Sequence, residues 1–485
     1  MDSLLVIAPV AVPVAAACLY AVLGWNRITA WLGTLSAAGL LACAIALSTA
    51  GRHDALGGLL VSDALSAFML LVIGAVALLA MAASPAYLVT ELAAGHTGPR
   101  AMRRYGVLTQ AFIAAMALAV LASSLGLLLV AIEATTILTA LLVGHRRTRQ
   151  ATEAAWKYVV ICSVGIALAL LGIVIAYYAG THAGVASLDW AVLAEHAGRL
   201  DPGVMRVAVM LLVLGFGAKA GLAPMHAWLP DAHSQAPAPV SALMSGALLS
   251  VAFYAILRVK VIADAALGAG FTRALLLIVA LASLTVAALL LIGQRDYKRL
   301  LAYSSIEHMG LLALGAAIGN SLALVAVLLH ILGHGLGKSV LFLSAGQLHQ
   351  ALGSSRIHAT GGLLARAPLL AGVFALGLLA LLGLPPFSLF ASELGIARAG
   401  FDAGLGWAVT AALVLMLLIV AAIGRHTRRM LLGGAPGEAG SLSVLPHTVA
   451  TPLVAGLAAC AVLGITLGPL QPLLQAAAAI AGATP

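Results

Sequence analysis

About fourteen runs of roughly 18–25 mostly apolar residues follow one another along this 485-residue chain. That is the length an α-helix needs to cross the hydrocarbon core of a bilayer, whereas a transmembrane barrel would show segments of about ten residues with alternating polarity. The runs cover 4–23, 29–49, 60–83, 107–124, 125–143, 158–179, 205–224, 239–262, 272–293, 300–318, 321–346, 368–395, 404–424 and 448–470, with 107–143 divided at Ser123-Ser124-Leu125-Gly126. The polar intervals between them are too short to hold a folded soluble domain. With 63% hydrophobic and 8% charged residues, the chain has too little charge for a water-facing surface. The expectation is an all-α polytopic membrane protein.

A formal net charge of +9 suggests a nucleic-acid partner until the charges are placed. They alternate between loops, as the positive-inside rule requires. One side carries Arg27, Arg100, Arg103, Arg104, Arg146, Arg147, Arg149, Lys157, Arg295, Lys298, Arg299, Arg356, Arg366, Arg425, Arg428 and Arg429. The other carries Arg52, Arg199, Arg206, Arg258, Lys260, Arg273 and Arg398. This ratio of about sixteen to seven makes the first side cytoplasmic, puts both termini outside and supports an even span count. The location implied is a bacterial or archaeal inner (plasma) membrane, with lipid and not nucleic acid as the surrounding partner. Asp2 without a basic flank reads as the start of a first span, not of a signal peptide. Cys18, Cys43, Cys162 and Cys460 all fall in apolar runs without CxxC spacing, and read as small core residues.

Two of the runs are broken. The seventh holds Gly215, Gly217 and Gly221 and then Pro224, and the twelfth holds Gly383-Leu384-Pro385-Pro386. Proline removes a backbone donor, and a break at membrane depth survives where it faces protein or a wet cavity. Two interrupted helices in corresponding places point to an inverted repeat. The chain then divides into helices one to three (1–106), a first five-helix unit (107–262), a second (263–424) and a C-terminal loop with helix fourteen (425–485).

Ionisable residues inside the runs carry the functional argument. Lys219 lies deep in VMLLVLGFGAKAGLAPMHAWLPDAH, at a cost of roughly 2.5–3.5 kcal/mol on insertion scales. A residue of that cost is kept where it lines a wet path or meets an acid. The alternative, a lysine that snorkels to the interface, is harder at this depth. His226, Asp231 and His233 follow the break and, with Lys219, form a candidate relay, since histidine titrates near neutral pH. Both histidines could instead cap helices. A metal site at His226 and His233 lacks a third ligand nearby. Glu133, within LGLLLVAIEATTILTALLV, needs a counter-charge or a proton: either an ion pair with Lys219, the preferred reading, or a protonated acid bonded to Thr135 or Thr136. His330, His334 and Lys338 recur at i, i+4 and i+8, so they line one helical face as a proton wire or, alternatively, as core histidines bonded to carbonyls. No glutamate stands between the histidines, which argues against an HExxH zinc hydrolase. Glu393 follows the second break, as a path exit or a helix-end charge. Lys157 begins a span, and is either a snorkelling residue or a neighbour of Glu133. In RDYKRLLAYSSIEHMG the cations read as topology signals, while Glu307 and His308 lie deeper and join the polar axis. No phosphate loop, dinucleotide fingerprint or Fe–S cysteine set is present, so neither a cofactor nor a metal is expected.

The run AKAGLAPMHAWLPDAHSQAPAPVSALMSG resembles the signature of the antiporter-like subunits of respiratory complex I and of Mrp-type cation/proton antiporters. RDYKRLLAYSSIEHMG, HILGHGLGKSVLFLSAG and LPPFSLFASE agree with it in order and spacing, and the resemblance covers roughly residues 60–424. Within that family, AWKYVVICSVGIALALLG, SSIEHMG and the ASE after the twelfth-helix break look most like component F of hydrogenase-4 and formate hydrogenlyase membrane arms. The resemblance implies fourteen helices with two inverted five-helix repeats and broken seventh and twelfth helices. It matches Glu133 to the fifth-helix acid, Lys219 to the seventh-helix lysine, His330, His334 and Lys338 to the eleventh-helix relay, and Glu393 to the twelfth-helix acid. One departure is Ser250, where many complex I relatives carry an eighth-helix lysine. Water must bridge that gap, or the link between the half-channels weakens.

The expectation is a proton-translocating membrane subunit of a group 4 [NiFe]-hydrogenase-like or complex I-like oxidoreductase. Its implied partners are other membrane subunits and a peripheral cytoplasmic Fe–S or hydrogenase-like arm that holds the redox centres. The alternatives are a subunit of an Mrp-type Na⁺/H⁺ antiporter or of a bicarbonate-uptake system, a membrane anchor with a vestigial relay, and a quinone-binding enzyme, which the lack of a cofactor motif disfavours.

Overall fold

A computed structural model of the chain describes residues 2–434 and 445–484. Part of the expected loop at 425–447 therefore lies outside the described residues. The elements are almost all helical: α1 (Asp2–Leu23), α2 (Leu32–Ala50), α3 (Ala64–Ala93), α4 (Pro99–Leu121), α5 (Leu125–Val143), α6 (Arg149–His182), the short α7 (Trp190–Glu195), α8 (Pro202–Ala220), α9 (Trp228–Gln235) and α10 (Ala238–Leu243). A π-helical turn, Met244–Leu248, joins α10 to α11 (Leu249–Leu267). Then follow α12 (Ala269–Ile292), α13 (Tyr297–Ile318), α14 (Ser321–Leu352), α15 (Leu363–Arg366), α16 (Pro368–Leu381), α17 (Ser388–Asp402), α18 (Gly406–Leu432), α19 (His447–Ile465) and α20 (Leu470–Ile480).

Thirteen helices among the described residues are long and apolar enough to cross a membrane. The remaining expected span, the twelfth, is the broken pair α16 and α17, of 14 and 15 residues. The division at Ser123-Ser124 is real: α4 stops at Leu121, and the Ser124 hydroxyl accepts the Leu127 N–H to start α5. Short polar side chains start other helices in the same way, because each satisfies an N–H that has no partner inside the helix. Asp63 caps α3, Thr148 caps α6, Asp201 caps α8, Asp296 caps α13 and Asn320 caps α14.

Several boundaries differ from the sequence reading. The third span begins at Ala64, not at 60, because residues 53–62 form a small antiparallel hairpin, β1 (His53–Ala55) with β2 (Leu60–Ser62). The sixth begins nine residues early, since its polar first turns remain helical beyond the apolar run. The C-terminal α20 was not anticipated. It packs on α3 and α14, and Thr484 beyond it exchanges backbone hydrogen bonds with Gly319 and Ser321.

The middle of the bundle is the continuous helix α10–α11 together with α13 and α14. Their apolar windows are 94–100% buried, against 33% for α1, α2, α6, α18 and α19. Small residues bring the backbones together there, as in membrane helix packing generally. Gly246 in the π turn lies against the Gly335 carbonyl of α14, and Gly165 and Gly215 let α6 and α8 touch backbone to backbone. The seventh helix ends at Gly221, whose φ of +76° suits glycine, and restarts at Trp228 as α9.

Three cations read from the sequence as loop charge are inside the protein. Arg258 in α11 is 1% exposed. Its Nη2 donates to both Asp63 carboxylate oxygens at 2.8 Å, its Nε donates to Tyr254 OH at 2.9 Å, and its guanidinium stacks on Trp190. Lys260, two residues on, is buried and donates to Asp264 at 2.6 Å. At the opposite end Lys298 is buried and donates to the carbonyls of Ser234 and Ala236, closing the C-terminus of α9. Removing one partner of a buried pair leaves the other uncompensated, so Arg258→Ala is expected to cost about 3–5 kcal/mol. Arg273→Ala, at a partly exposed site bonded only to the Ala317 carbonyl, should cost less than 1 kcal/mol by order of magnitude. Thermal unfolding of the purified protein in detergent checks the difference.

Candidate functional site

The site begins where α5, α6 and α8 meet. Lys219 occupies the last turn of α8 and is wholly buried. Its Nζ donates to Tyr158 OH at 2.5 Å and to Thr136 Oγ1 at 2.8 Å. Thr136 Oγ1 in turn donates to Glu133 Oε2 at 2.9 Å. Thr139 Oγ1 donates to the Thr135 carbonyl, so it accepts from Tyr158 OH at 2.6 Å. Both hydroxyls that receive Lys219 thus send their own protons onward, the arrangement an ammonium group requires.

The direct Glu133–Lys219 ion pair expected from the sequence is not formed. Thr136 lies three residues after Glu133 on the same face of α5, so its hydroxyl reaches the carboxylate and stands between acid and lysine. Glu133 itself is half-buried at the bundle surface.

Lys157 and Asp231 belong elsewhere. Lys157 bonds Glu153 at 2.7 Å and Asp231 at 3.2 Å, and Asp231 also bonds Arg299 at 3.0 Å. This network ties α9 to α6 and α13 at the arginine-rich end, where Lys157 is 48% exposed. Lys157 is therefore not a neighbour of Glu133. His226 sits in the break between α8 and α9, half-buried, and makes no side-chain hydrogen bond to the other candidates. His233 on α9 is fully buried and stacks on Phe342 of α14 with ring centroids 4.7 Å apart.

A second cluster lines α14, with His330, His334, Lys338 and Phe342 at four-residue steps on one face. Lys338 Nζ donates to the Leu301 carbonyl at 2.6 Å and to Ser304 Oγ at 2.5 Å on α13. Like Lys219, it is wholly buried on neutral oxygens, with no carboxylate within ion-pair distance among the described residues. Glu307 is buried next to His308 but pairs with neither lysine. His308 and His334 rings lie 5.0 Å apart, and His308 Nδ1 meets His330 Nε2 at 3.0 Å.

The next contact assigns the proton order. Ser392 Oγ donates to the Leu389 carbonyl at 2.9 Å and so accepts from His330 Nδ1, also at 2.9 Å. A neutral His330 then accepts at Nε2 from His308 Nδ1. The chain runs His308 to His330 to Ser392. Glu393, the residue after Ser392, brings a carboxylate oxygen within 4.8 Å of the His308 and His330 nitrogens. These three side chains are the one group of potential metal donors among the described residues. The histidine–histidine hydrogen bond suits a shared proton as it stands.

Between the two clusters runs α10–α11. Leu249 at its start faces Gly221 of α8, and Gly246 touches Gly335 of α14 between His334 and Lys338. Ser245 bonds Ser305 of α13 at 2.8 Å. Ser250 is fully buried, and its hydroxyl has no protein partner, nor do both ring nitrogens of His334 and of His233 or His308 Nε2. Buried polar atoms without protein partners mark places that water satisfies.

The residues missed by sequence reasoning are neutral hydroxyls: Tyr158, Thr139, Ser304 and Ser392. Tyr158 follows Lys157 directly, and Ser392 precedes Glu393, yet serine, threonine and tyrosine are common in membrane helices and give no signal by themselves.

A family model described as "NADH:quinone oxidoreductase/Mrp antiporter, TM" matches residues 122–419. The chain is 38% identical over 378 residues to the hydrogenase-4 component F homolog of Methylacidiphilum infernorum, covering 77% of this chain and 79% of that one. It is 30% identical over 466 residues to F(420)H(2) dehydrogenase subunit N of Methanosarcina mazei, covering 93% and 92%. Its fold superposes on a subunit of the membrane-bound sulfane sulfur reductase, an archaeal respiratory membrane complex, with a TM-score of 0.86 at 24% identity, over 99% of this chain and 98% of that one.

The Thr136 bridge has a measurable consequence. Thr136→Val removes one acceptor from the Lys219 ammonium and should cost about 1–3 kcal/mol of stability. It should also shift the Glu133 carboxyl band in infrared difference spectra, while Thr135→Val leaves that band in place. An unmoved band in Thr136→Val would show that the bridge is not formed.

Proposed function

Since the chain belongs to the membrane family shared by NADH:quinone oxidoreductases and Mrp antiporters, we propose that it is a proton-translocating membrane subunit of a hydrogenase-like or complex I-like oxidoreductase. One observation carries the reading. Two wholly buried lysines, Lys219 and Lys338, are held on neutral oxygens of neighbouring helices, and a histidine ladder leads from the second towards Glu393. Ionisable residues kept at this depth mark ion pathways.

In this reading a redox event in partner subunits changes the field at Glu133, on the bundle surface. The Thr136 hydroxyl transmits the change to Lys219. Lys219 releases its proton towards α11, where water beside Ser250 spans the place of the lysine found in many complex I relatives. Lys338 receives it, His334, His308 and His330 pass it on, and Glu393 releases it. His233, stacked one turn beyond Lys338, is the branch towards the arginine-rich end. Glu307 tunes the field at His308. Lys157 and Asp231 hold the second half of the broken helix in place, and like His226 in the break they carry no proton.

The two units 107–262 and 263–424 then correspond to two half-channels, each with one broken helix. The arginine-rich end faces the cytoplasm, both termini face outward, and the membrane is the plasma membrane of a prokaryote. The partners are other membrane subunits and a peripheral Fe–S arm. The second reading, a subunit of an Mrp-type antiporter, draws on the family's other half.

The test is redox-driven proton pumping by the complex purified with its partners and reconstituted. Lys219→Ala, in correctly assembled complex, should lower pumping on the order of 100-fold or more, the scale on which loss of a proton-transfer group acts. Unchanged pumping would end the proposal. Partners identified by mass spectrometry separate the two readings: Fe–S subunits favour the oxidoreductase, and antiporter subunits alone favour the second.

A further inference from the structure

A cavity of about 770 Å³ opens at the arginine-rich end, away from the polar axis. Its walls are the loop between α3 and α4, the first turns of α4 and the turn that follows α5. Four arginines line it, Arg100, Arg104, Arg146 and Arg147, together with His145, and no carboxylate does. Arg146 is already matched, since it donates to both oxygens of Glu91 at 2.7 and 3.0 Å. Arg100, Arg104 and Arg147 make no ion pair among the described residues. The Nε of Arg104 is buried without a protein partner.

The backbone adds to this positive field. The 23-residue helix α4 begins in the cavity wall, with Gly98 as its N-cap, Pro99 at N1 and no side chain capping it. The free N–H groups of its first turn and the positive end of its dipole therefore face the same space. Topology-setting arginines need only lie on one side of a membrane, and have no reason to converge on one concavity.

The level of the cavity is marked by aromatic rings. Trp25 stacks on Tyr20 at 5.3 Å and meets Tyr105 edge-on at 6.3 Å, and Tyr105 meets His145 edge-on at 5.7 Å. Tryptophan and tyrosine collect at the depth of lipid headgroups. Guanidinium forks match phosphate oxygens in pairs, and basic pockets between membrane helices hold anionic headgroups. A volume of this order holds a ligand larger than a bare ion.

We propose that this cavity binds a phosphate group, presented by an anionic phospholipid headgroup or as free phosphate, through Arg100, Arg104, Arg147 and the first turn of α4. The site is independent of the proton path: neither Lys219 nor Glu393 lines it.

The test uses the purified full-length protein, stripped of lipid in detergent and titrated with phosphatidylglycerol, with phosphatidylcholine or with inorganic phosphate. Bound lipid is read by native mass spectrometry and unfolding by temperature. Phosphatidylglycerol should bind and raise the unfolding temperature, and phosphatidylcholine should not. Arg100→Ala/Arg104→Ala should weaken phosphatidylglycerol binding about 30-fold, at roughly 1 kcal/mol per arginine. Arg147→Ala provides a second, smaller loss if the double variant folds poorly. Arg425→Ala/Arg428→Ala, on exposed cations of α18, should leave binding unchanged. Competition by inorganic phosphate at millimolar concentration would identify the phosphate alone as sufficient, and its failure to compete would assign the source to the lipid. Equal binding of both lipids, undiminished binding in the cavity variants or an equal loss in the α18 variant would overturn the proposal.

Discussion

An ammonium group inside a hydrocarbon layer must find its acceptors within the protein, and much of this bundle is arranged around that demand. Lys219 meets it with hydroxyls from two helices, and Lys338 meets it with a hydroxyl and a carbonyl from one. Neither lysine touches a carboxylate. The difference matters for proton transfer. A direct ion pair would hold each proton by Coulomb attraction, which is strongest where water is excluded. Neutral oxygens solvate the ammonium without fixing its charge, which is what the proposed switching of Lys219 by the field at Glu133 requires.

Contrast this with Arg258, where attraction is used for the opposite purpose. Its guanidinium is clamped by both oxygens of Asp63, by Tyr254 and by the Trp190 ring. Arg146 is clamped similarly by Glu91 and His349. These arginines join α11 to α3 near one end and α3 to α14 near the other. Arginine cannot deprotonate in a protein and lysine can. Arg258 and Arg146 therefore act as permanent charges that join helices, while Lys219 and Lys338 can give up a proton. The broken seventh helix is fixed by the same means at its free end, through Lys298 on the last carbonyls of α9 and through Asp231 between Lys157 and Arg299.

Much of this was legible in the sequence, and what was not has a consistent cause. Lys219, His330, His334, Lys338 and Glu393 announce themselves because a titratable residue in an apolar run is costly and rare. Proline and glycine announce both breaks. Three kinds of feature stayed hidden. The neutral hydroxyls of Tyr158, Thr139, Ser304 and Ser392 cost little at membrane depth, so nothing distinguishes them from packing residues. Arg258, Lys260 and Lys298 sit near the ends of the apolar runs, where the same charge serves as a topology signal or as a buried partner, and only the folded surroundings decide. The Glu133–Lys219 pairing was misjudged because the ion pair was preferred to the alternative that bonds Glu133 to a neighbouring threonine, and it is Thr136, three residues on along the same face, that takes that place. In these cases the missing information is which polar group, near in sequence or brought in by the fold, arrives first.

Ser392 shows how a neutral residue can give a hydrogen-bonded chain its direction. Its hydroxyl proton is held by the Leu389 carbonyl, which can only accept. His330 must therefore donate to it, and His308 must donate to His330. The chain is polarised before any proton arrives. An excess proton reaching His308 can move to His330, but it cannot continue through Ser392 unless that hydroxyl turns away from the carbonyl. The adjacent Glu393 carboxylate, within 4.8 Å of both histidine nitrogens, offers the other exit. In the proposed pathway, a route that closes on a carbonyl and opens on a carboxylate passes a proton when the acid is ready to receive it and resists back-flow when it is not. That behaviour requires no large motion, only the rotation of one hydroxyl or the approach of one side chain across a gap that a single water can bridge.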